Sequence, residues 1–396
     1  MATGQDGRGG SLGIWAAWAI GVGGMVGGGI FSTLGVVIAS AGHWAALSFV
    51  LGGMIAWATG HSLAALTVDA DEAGGIYSFL RDRGHKGAAR LSAWALLAGY
   101  VLTCAVYAYT FGAYLGEAIG GPVWLPKACA FAVIAVMTAL NLRGAGQASG
   151  VEIAIVVVKL AILAALAAFG LAQFDASKLS IASQPGWIGV VIGAASVFMA
   201  YEGFELLAYD YDEMEDRKAL MKRIMPLTIG SAMLIYVAVS LAVPMLTGTQ
   251  AIIQKGEVAI AIAGQAALGT AGLIATTVAA AFSTGSAINA TLFSSARLAR
   301  EVADDGALPA SLGRKNAEGS PYFSVLAIAG LATVLALVGG LDGLVNGASV
   351  VFLLVFGSVN LLAWRGNVGH RWLTFPGMIG AFAATLVLVA KLAGLL

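Results

Sequence analysis

Charge is scarce in this chain. Only 11% of its 396 residues are Asp, Glu, Lys or Arg, against about 25% in soluble globular proteins. The 21 basic residues balance the 21 acidic ones, so no net charge exists to attract nucleic acid. Cysteine is nearly absent. Cys104 and Cys129 both lie in apolar stretches, which excludes a disulfide framework and a cysteine-rich metal site. The four histidines (His43, His61, His85 and His370) are scattered and form no ligand set. No Gly-x-x-x-x-Gly-Lys-Ser/Thr loop occurs, so nothing cradles the phosphates of ATP. Any pumping then draws on an ion gradient. No enzyme, metal or cofactor is expected from such a chain.

What fills the sequence is apolar. Hydrophobic residues make up 59% of it, and about 20 in a row suffice to cross a bilayer core. Such runs lie at 12–39, 42–67, 88–119, 123–141, 149–171, 187–209, 224–247, 258–296, 322–339, 342–363 and 372–395. They predict an all-α polytopic membrane protein of about 11 transmembrane helices. The first run is too long for a signal-peptide core and reads as a retained span; residues 1–11 read as a cytoplasmic tail. Basic residues set the orientation. With the N-terminus inside, 16 of the 21 fall on cytoplasmic segments and four on the other side, with Lys159 inside a span. The chain is thus expected in the cytoplasmic (inner) membrane, N-terminus cytoplasmic and C-terminus outside.

The stretch at residues 21–31 organises the rest. Gly27, Gly28 and Gly29 sit in the middle of span 1, and each glycine costs about 1 kcal/mol in a helix interior. Close helix packing is one use for them, through Gly23-xxx-Gly27 and Gly24-xxx-Gly28. A helix broken at the midplane to bind a ligand is the other. Three ionisable residues inside spans favour the second, because such groups are costly in lipid and functional by default. They are Lys159 in span 5 and Glu202 and Glu205 in span 6, the latter two flanking Gly203. Spans 1 and 6 are five apart and both interrupted, the pattern of inverted repeats. Spans 1–5 (12–171) and 6–10 (187–363) are the expected repeats, with span 11 (372–395) additional. The second half of span 1, from Ile30, would offer free amides and partial positive charge to a carboxylate. The first half of span 6, ending near Phe198, would offer carbonyls to an ammonium. Such a site suits an α-amino acid.

The motifs along the chain resemble those of the amino acid–polyamine–organocation transporters. Gly27-Gly28-Gly29-Ile30-Phe31 is similar to the family's span-1 stretch, and Ala73-Gly74-Gly75-Ile76-Tyr77 to its loop after span 2. Asn141-Leu142-Arg143-Gly144, Gly203-Phe204-Glu205, and Asn289 with Arg297 and Asp305-Gly306-Ala307-Leu308-Pro309 complete the series in order. The resemblance implies a five-plus-five inverted-repeat (LeuT-like) fold with helices 1 and 6 broken. It implies amides at Gly27, Gly28, Gly29 and Ile30 for the substrate carboxylate, and carbonyls of Phe198, Met199, Ala200 and Tyr201 for the amine. Tyr107 and Glu202 would line the same cavity. Lys159, Ser283, Thr284, Ser286 and Glu205 would serve ion coupling, with Lys159 in the position a sodium ion holds in some relatives of this fold. The chain departs from the family in its eleven rather than twelve spans, in the prolines missing after span 6 around Asp212–Arg217, and in Met199 where many members carry an aromatic gate.

The expected function is proton-coupled secondary transport of amino acids, with membrane lipid and protons as the other partners. A polyamine or cationic amino acid exchanger is the nearest alternative. An inorganic ion carrier of this fold would want a span-1 Asp and a span-6 His, and neither is present. A channel would want polar lining along several spans, and the spans offer little. If Glu202 faces the cavity it needs either a proton or a cationic cargo beside it.

Overall fold

The computed structural model describes residues 12–143, 149–179 and 186–396. The expected tail at 1–11 and Gly144 of the third motif lie outside them. Helix makes up most of the described part of each of the eleven apolar segments, and the architecture of the described residues is all-α. Span 1 comprises Ile14–Met25 and Gly29–Ala41; span 2 is Ala45–Ala70; span 3, Lys86–Ile119; span 4, Leu125–Leu142; span 5, Ser149–Ala172. Span 6 is divided into Trp187–Ser196, Phe198–Tyr201 and Leu206–Tyr209. Spans 7 to 11 are Arg217–Thr247, Ala259–Asp304, Tyr322–Val338, Leu341–Arg365 and Arg371–Leu392. Among the described residues nine helices are long and apolar enough to cross a membrane, counting Gly29–Ala70 as one; Ile14–Met25 and Tyr322–Val338 are apolar but shorter.

Two boundaries differ from the sequence expectation. Span 8 is not continuous over 258–296: Leu268 and Gly269 leave helical geometry, with Gly269 at φ +60°. The main helix therefore starts beyond them and runs on to Asp304, past the apolar run. Span 6 is interrupted at Val197, beside the expected Phe198, and opens fully only beyond Tyr201. Its first half is nearly continuous to Tyr201, and the chain unwinds at Glu202 (φ −60°, ψ 141°) and Gly203 (φ +122°). A left-handed φ of that size is accessible to glycine and costly for other residues.

Lipid offers no hydrogen bonds, so polar side chains within spans bond to protein. Asn360 of span 10 donates to Thr59 of span 2 at 2.8 Å, and Ser62 donates to Asn360 at 2.6 Å. Asn141 of span 4 donates to Asn289 of span 8 at 2.8 Å, joining residues of two separate motifs.

Both ends of the bundle are closed. At the basic end the loop after span 2 is tied to span 6, where the Gly74 amide donates to the Ala208 carbonyl at 3.1 Å. Leu12 pairs through its backbone with Glu213 and Glu215 of the span 6–7 loop at 2.7 and 3.1 Å. The short helix Ile76–Asp82 reaches instead to the end of span 8. There Tyr77 donates to Asp305 at 2.9 Å, and Arg81 meets Asp305 at 2.7 Å. At the opposite end Lys255 pairs with Glu117 at 2.5 Å, and Tyr109 donates to Glu257.

The Arg81 guanidinium holds the Asp305 carboxyl below its ordinary range, with help from Tyr77. Burial first, then the Asp305 carboxylate, pushes Tyr77 up to about 12. Asp305 therefore stabilises the closed end above its unfolded pKa and stops doing so as pH falls through its depressed folded value. Tyr77 contributes below about pH 10 and ceases as pH rises through about 12. The groups are partly exposed, so the link contributes about 1 kcal/mol. Asp305→Asn is expected to speed thiol labelling of a cysteine placed at Ser294 from the basic side by roughly fivefold, in a background lacking Cys104 and Cys129. An unchanged labelling rate would show that Asp305 does not hold this end shut.

Candidate functional site

The break in span 1 is made by Val26, Gly27 and Gly28. The Gly27 amide turns to the Gly24 carbonyl at 3.3 Å and so leaves the Gly23 carbonyl without its usual helical donor. The second half then starts at Gly29, one residue before the expected Ile30. Its first-turn amides have no carbonyls of a preceding turn to bond. Glycine is needed here for close approach. A Cβ on Gly28 would lie 2.1 Å from the Tyr107 ring, and one on Gly29 would lie 2.8 Å from the Ala200 carbonyl oxygen. Gly28, Gly29, Tyr107 and Ala200 are thus brought together. Ile30 is fully buried.

On span 6, Tyr201 donates to the Phe49 carbonyl of span 2 at 2.7 Å, and the Met199 amide donates to Ser349 of span 10 at 3.1 Å. Phe198 packs against Phe356 of span 10, ring centroids 6.0 Å apart. Its ring belongs to the packing against span 10.

Sequence reasoning missed Tyr236 of span 7. Its hydroxyl stands 2.5 Å from the Met25 carbonyl and 2.7 Å from the Ala200 carbonyl. The last carbonyl of one broken half and a carbonyl beside the other break converge on one oxygen. That hydroxyl has a single proton and donates to one of them at a time. The signal was available, because a tyrosine buried in an apolar run needs a partner for its hydroxyl. Tyr236→Phe is expected to lower the stability of the empty protein by about 1–3 kcal/mol, the cost of leaving a buried carbonyl unsatisfied. Chemical denaturation in detergent measures it, and a change within error would mean water replaces the hydroxyl without loss.

Lys159 is 1% exposed and does not snorkel. Its ammonium donates to the Gly23 carbonyl at 3.0 Å, the one freed by the break. Spans 5 and 8 both crowd this part of span 1: a Cβ on Gly23 would meet Val156 at 2.8 Å, and one on Gly27 would meet Ala287 at 3.2 Å. Ser283 and Thr284 lie one turn before Ala287 and are fully buried. Thr284 bonds back to Ala280 at 2.7 Å and Ser286 to Ser283 at 3.3 Å. The Ser283 hydroxyl has no partner among the described residues.

Glu202 and Glu205 are 6% and 3% exposed, so neither faces water beyond the break. Glu205 accepts a hydrogen bond from the Gly203 amide at 2.8 Å, closing the unwound step on itself. Two small cavities flank that step, each with room for little more than a water molecule. Glu202 lines one with Gly24, Tyr107 and Tyr100. Glu205 lines the other with Gly75, Tyr209 and Phe356. Among the described residues these two spaces beside the breaks are far smaller than an amino acid, and the Tyr107 ring lies against Gly28. Among the described residues no group of three or more His, Cys, Asp or Glu could hold a metal.

A family model described as "Amino acid permease" matches residues 12–394. The inner membrane transport protein YbaT of Escherichia coli is 30% identical over 363 residues, spanning 89% of this chain and 83% of that protein. An uncharacterized protein of Methanocaldococcus jannaschii is 28% identical over 356 residues, 87% and 80% of the two chains. The human Asc-type amino acid transporter 1 is 27% identical over 388 residues, 91% and 72%.

Proposed function

The chain belongs to the amino acid permease family and is a membrane transporter, and on that premise we propose that it carries α-amino acids with protons as the coupling ion. The observation that carries the cargo is the meeting of two unlike helix ends. The start of the second half of span 1 at Gly29 presents amides and partial positive charge. The Met25 and Ala200 carbonyls present negative charge on the other side, gathered around the Tyr236 hydroxyl. A carboxylate and an ammonium on one carbon match that pair of ends. Binding requires Tyr107 to swing off Gly28 and the Tyr236 hydroxyl to give up a carbonyl.

In the same reading spans 1–5 and 6–10 are inverted repeats, and the basic end is cytoplasmic. Lys159 then supplies a cation at the junction of spans 1, 5 and 8, where it holds the Gly23 carbonyl. A lysine that gives up and regains its proton during the cycle does there what a bound sodium ion would do. The human relative is named for amino acids, which agrees with this cargo.

The experiment is a thermal-shift screen of the purified protein against the common amino acids and polyamines, followed by uptake into liposomes. Stabilisation by one or more zwitterionic amino acids is the expected result. Stabilisation by polyamines alone would replace this cargo with a cationic one, for which Glu202 would be the counter-charge.

A further inference from the structure

The four histidines are scattered in the sequence, but the fold brings two of them into contact. His61 lies in span 2, and His370 precedes the first turn of span 11. The backbone amide of His370 donates to Nε2 of His61 at 2.9 Å, and Nδ1 of His370 stands 3.3 Å from the same nitrogen. The turn between spans 10 and 11 makes this approach possible. Asn367 and Gly369 take left-handed φ values of +54° and +75°, and a Cβ on Gly369 would lie 3.0 Å from that nitrogen. An imidazole nitrogen accepts a hydrogen bond only without its proton. His61 is therefore neutral here, with its proton on Nδ1. His370 is exposed and His61 half-buried, so protons reach the pair from the basic end.

No Asp, Glu or Cys joins the two rings among the described residues. Span 2 packs against spans 1, 6, 7, 10 and 11. At the basic end these carry Arg217, Lys218, Lys222 and Arg223 of span 7, Arg365 of span 10 and Arg371 of span 11. The Arg371 guanidinium is turned over the Trp364 ring at 5.6 Å. Span 6 contributes Glu205, but it lines a cavity with Leu63, on the opposite side of span 2 from His61 by helical spacing. Asp71, just beyond span 2, is held by Arg217 and Lys218 at 3.2 and 3.0 Å, and Asp69 by Arg83 at 3.2 Å. The pair thus has cations around it and no carboxylate to hold a charged ring.

We propose that His61 and His370 form a proton-sensing latch, which ties span 2 to the start of span 11 and lets go when the basic side turns acidic. One proton fits between the facing nitrogens, carried on Nδ1 of His370 and donated to His61. A proton on Nε2 of His61 does not fit. That nitrogen then becomes a donor and faces the His370 amide, also a donor, at 2.9 Å. With both rings charged, two cations stand 3.3 Å apart without a counter-ion. The latch therefore holds above the histidine range and is lost as pH falls through it. Span 2 ends at Ala70 and leads into the loop whose Gly74 amide closes the basic end on Ala208. Release of span 2 frees that closure. The histidines control opening, separately from the lysine that holds span 1.

Thiol labelling from the basic side tests this with no substrate present. The protein carries a single cysteine at Ser294, with Cys104 and Cys129 removed, and each rate is divided by that of the unfolded protein at the same pH. Wild-type labelling should speed up roughly fivefold from about pH 8 to about pH 5, the weight of one hydrogen bond. Asp305 stays ionised over that range, because Arg81 holds its carboxyl down. His61→Gln keeps an acceptor where Nε2 lies and takes no proton, so it should label slowly at every pH. His61→Leu has no acceptor and should label fast at every pH. Either variant decides if the other does not fold, because both must lose the pH dependence. A wild-type rate that ignores pH overturns the latch, and so does a variant whose rate still follows pH as the wild type does. Failure of the amino acid screen leaves these readouts intact, since no cargo enters them.

Discussion

Replacing Lys159 with alanine is expected to abolish concentrative uptake driven by a pH gradient. The ammonium is buried, and it donates to the carbonyl that the break in span 1 releases. Its removal takes away the ammonium proposed to carry the coupling proton at the junction of spans 1, 5 and 8. It also strands the Gly23 carbonyl, at a cost of about 1–3 kcal/mol. Coupling and stability therefore have to be separated. Lys159→Met keeps most of the packing, so beyond the lost bond to Gly23, which it shares with the alanine variant, it removes the proton carrier and little else. Both variants should lose accumulation against a gradient, and the methionine variant should keep downhill exchange of labelled cargo. Full gradient-driven uptake in Lys159→Met would remove the lysine from the coupling mechanism.

A methyl group at Gly29 is expected to displace backbone, and a larger side chain at Gly28 only a side chain, yet both should abolish tight binding. At Gly28 the added atom meets the Tyr107 ring, which can turn away. At Gly29 it meets the carbonyl oxygen and Cα of Ala200 at 2.8 and 2.9 Å, and this is backbone. Spans 1 and 6 must then separate at the point where their unlike ends meet. Gly29→Ala should lose the thermal-shift response to every amino acid that stabilises the wild type, by at least tenfold in apparent affinity. Gly28→Val should insert in the membrane and fail to bind, because its side chain occupies the carboxylate position. Wild-type binding by both variants would show that the cargo does not sit between these two segments.

The broken helices could be read from the sequence because glycine in an apolar helix has few purposes. Lys159, Glu202 and Glu205 could be read because an ionisable residue in a span needs a reason. The motifs also proved to be contacts: Asn141 meets Asn289, Tyr77 meets Asp305, and Gly203 meets Glu205. Span 6 is interrupted at Val197, beside the expected Phe198, and unwinds further at Glu202 and Gly203. Glycine marks where the chain turns left-handed, and the helix has already ended at Tyr201. Tyr236 was missed because its partners are carbonyls, and every residue carries one. Only the fold shows that the carbonyls of Met25 and Ala200, far apart in sequence, converge on it. The kink at Leu268 and Gly269 was hidden in the same way, inside an apolar run long enough for one helix.

Uptake of labelled amino acids into sodium-free liposomes holding the purified protein tests the central claim most directly. With the outside made acidic, at least one amino acid that stabilises the protein should accumulate above its external concentration, and a protonophore should collapse the accumulation. Uptake that requires sodium and ignores the pH gradient would contradict the account, as would the absence of uptake for every amino acid that binds.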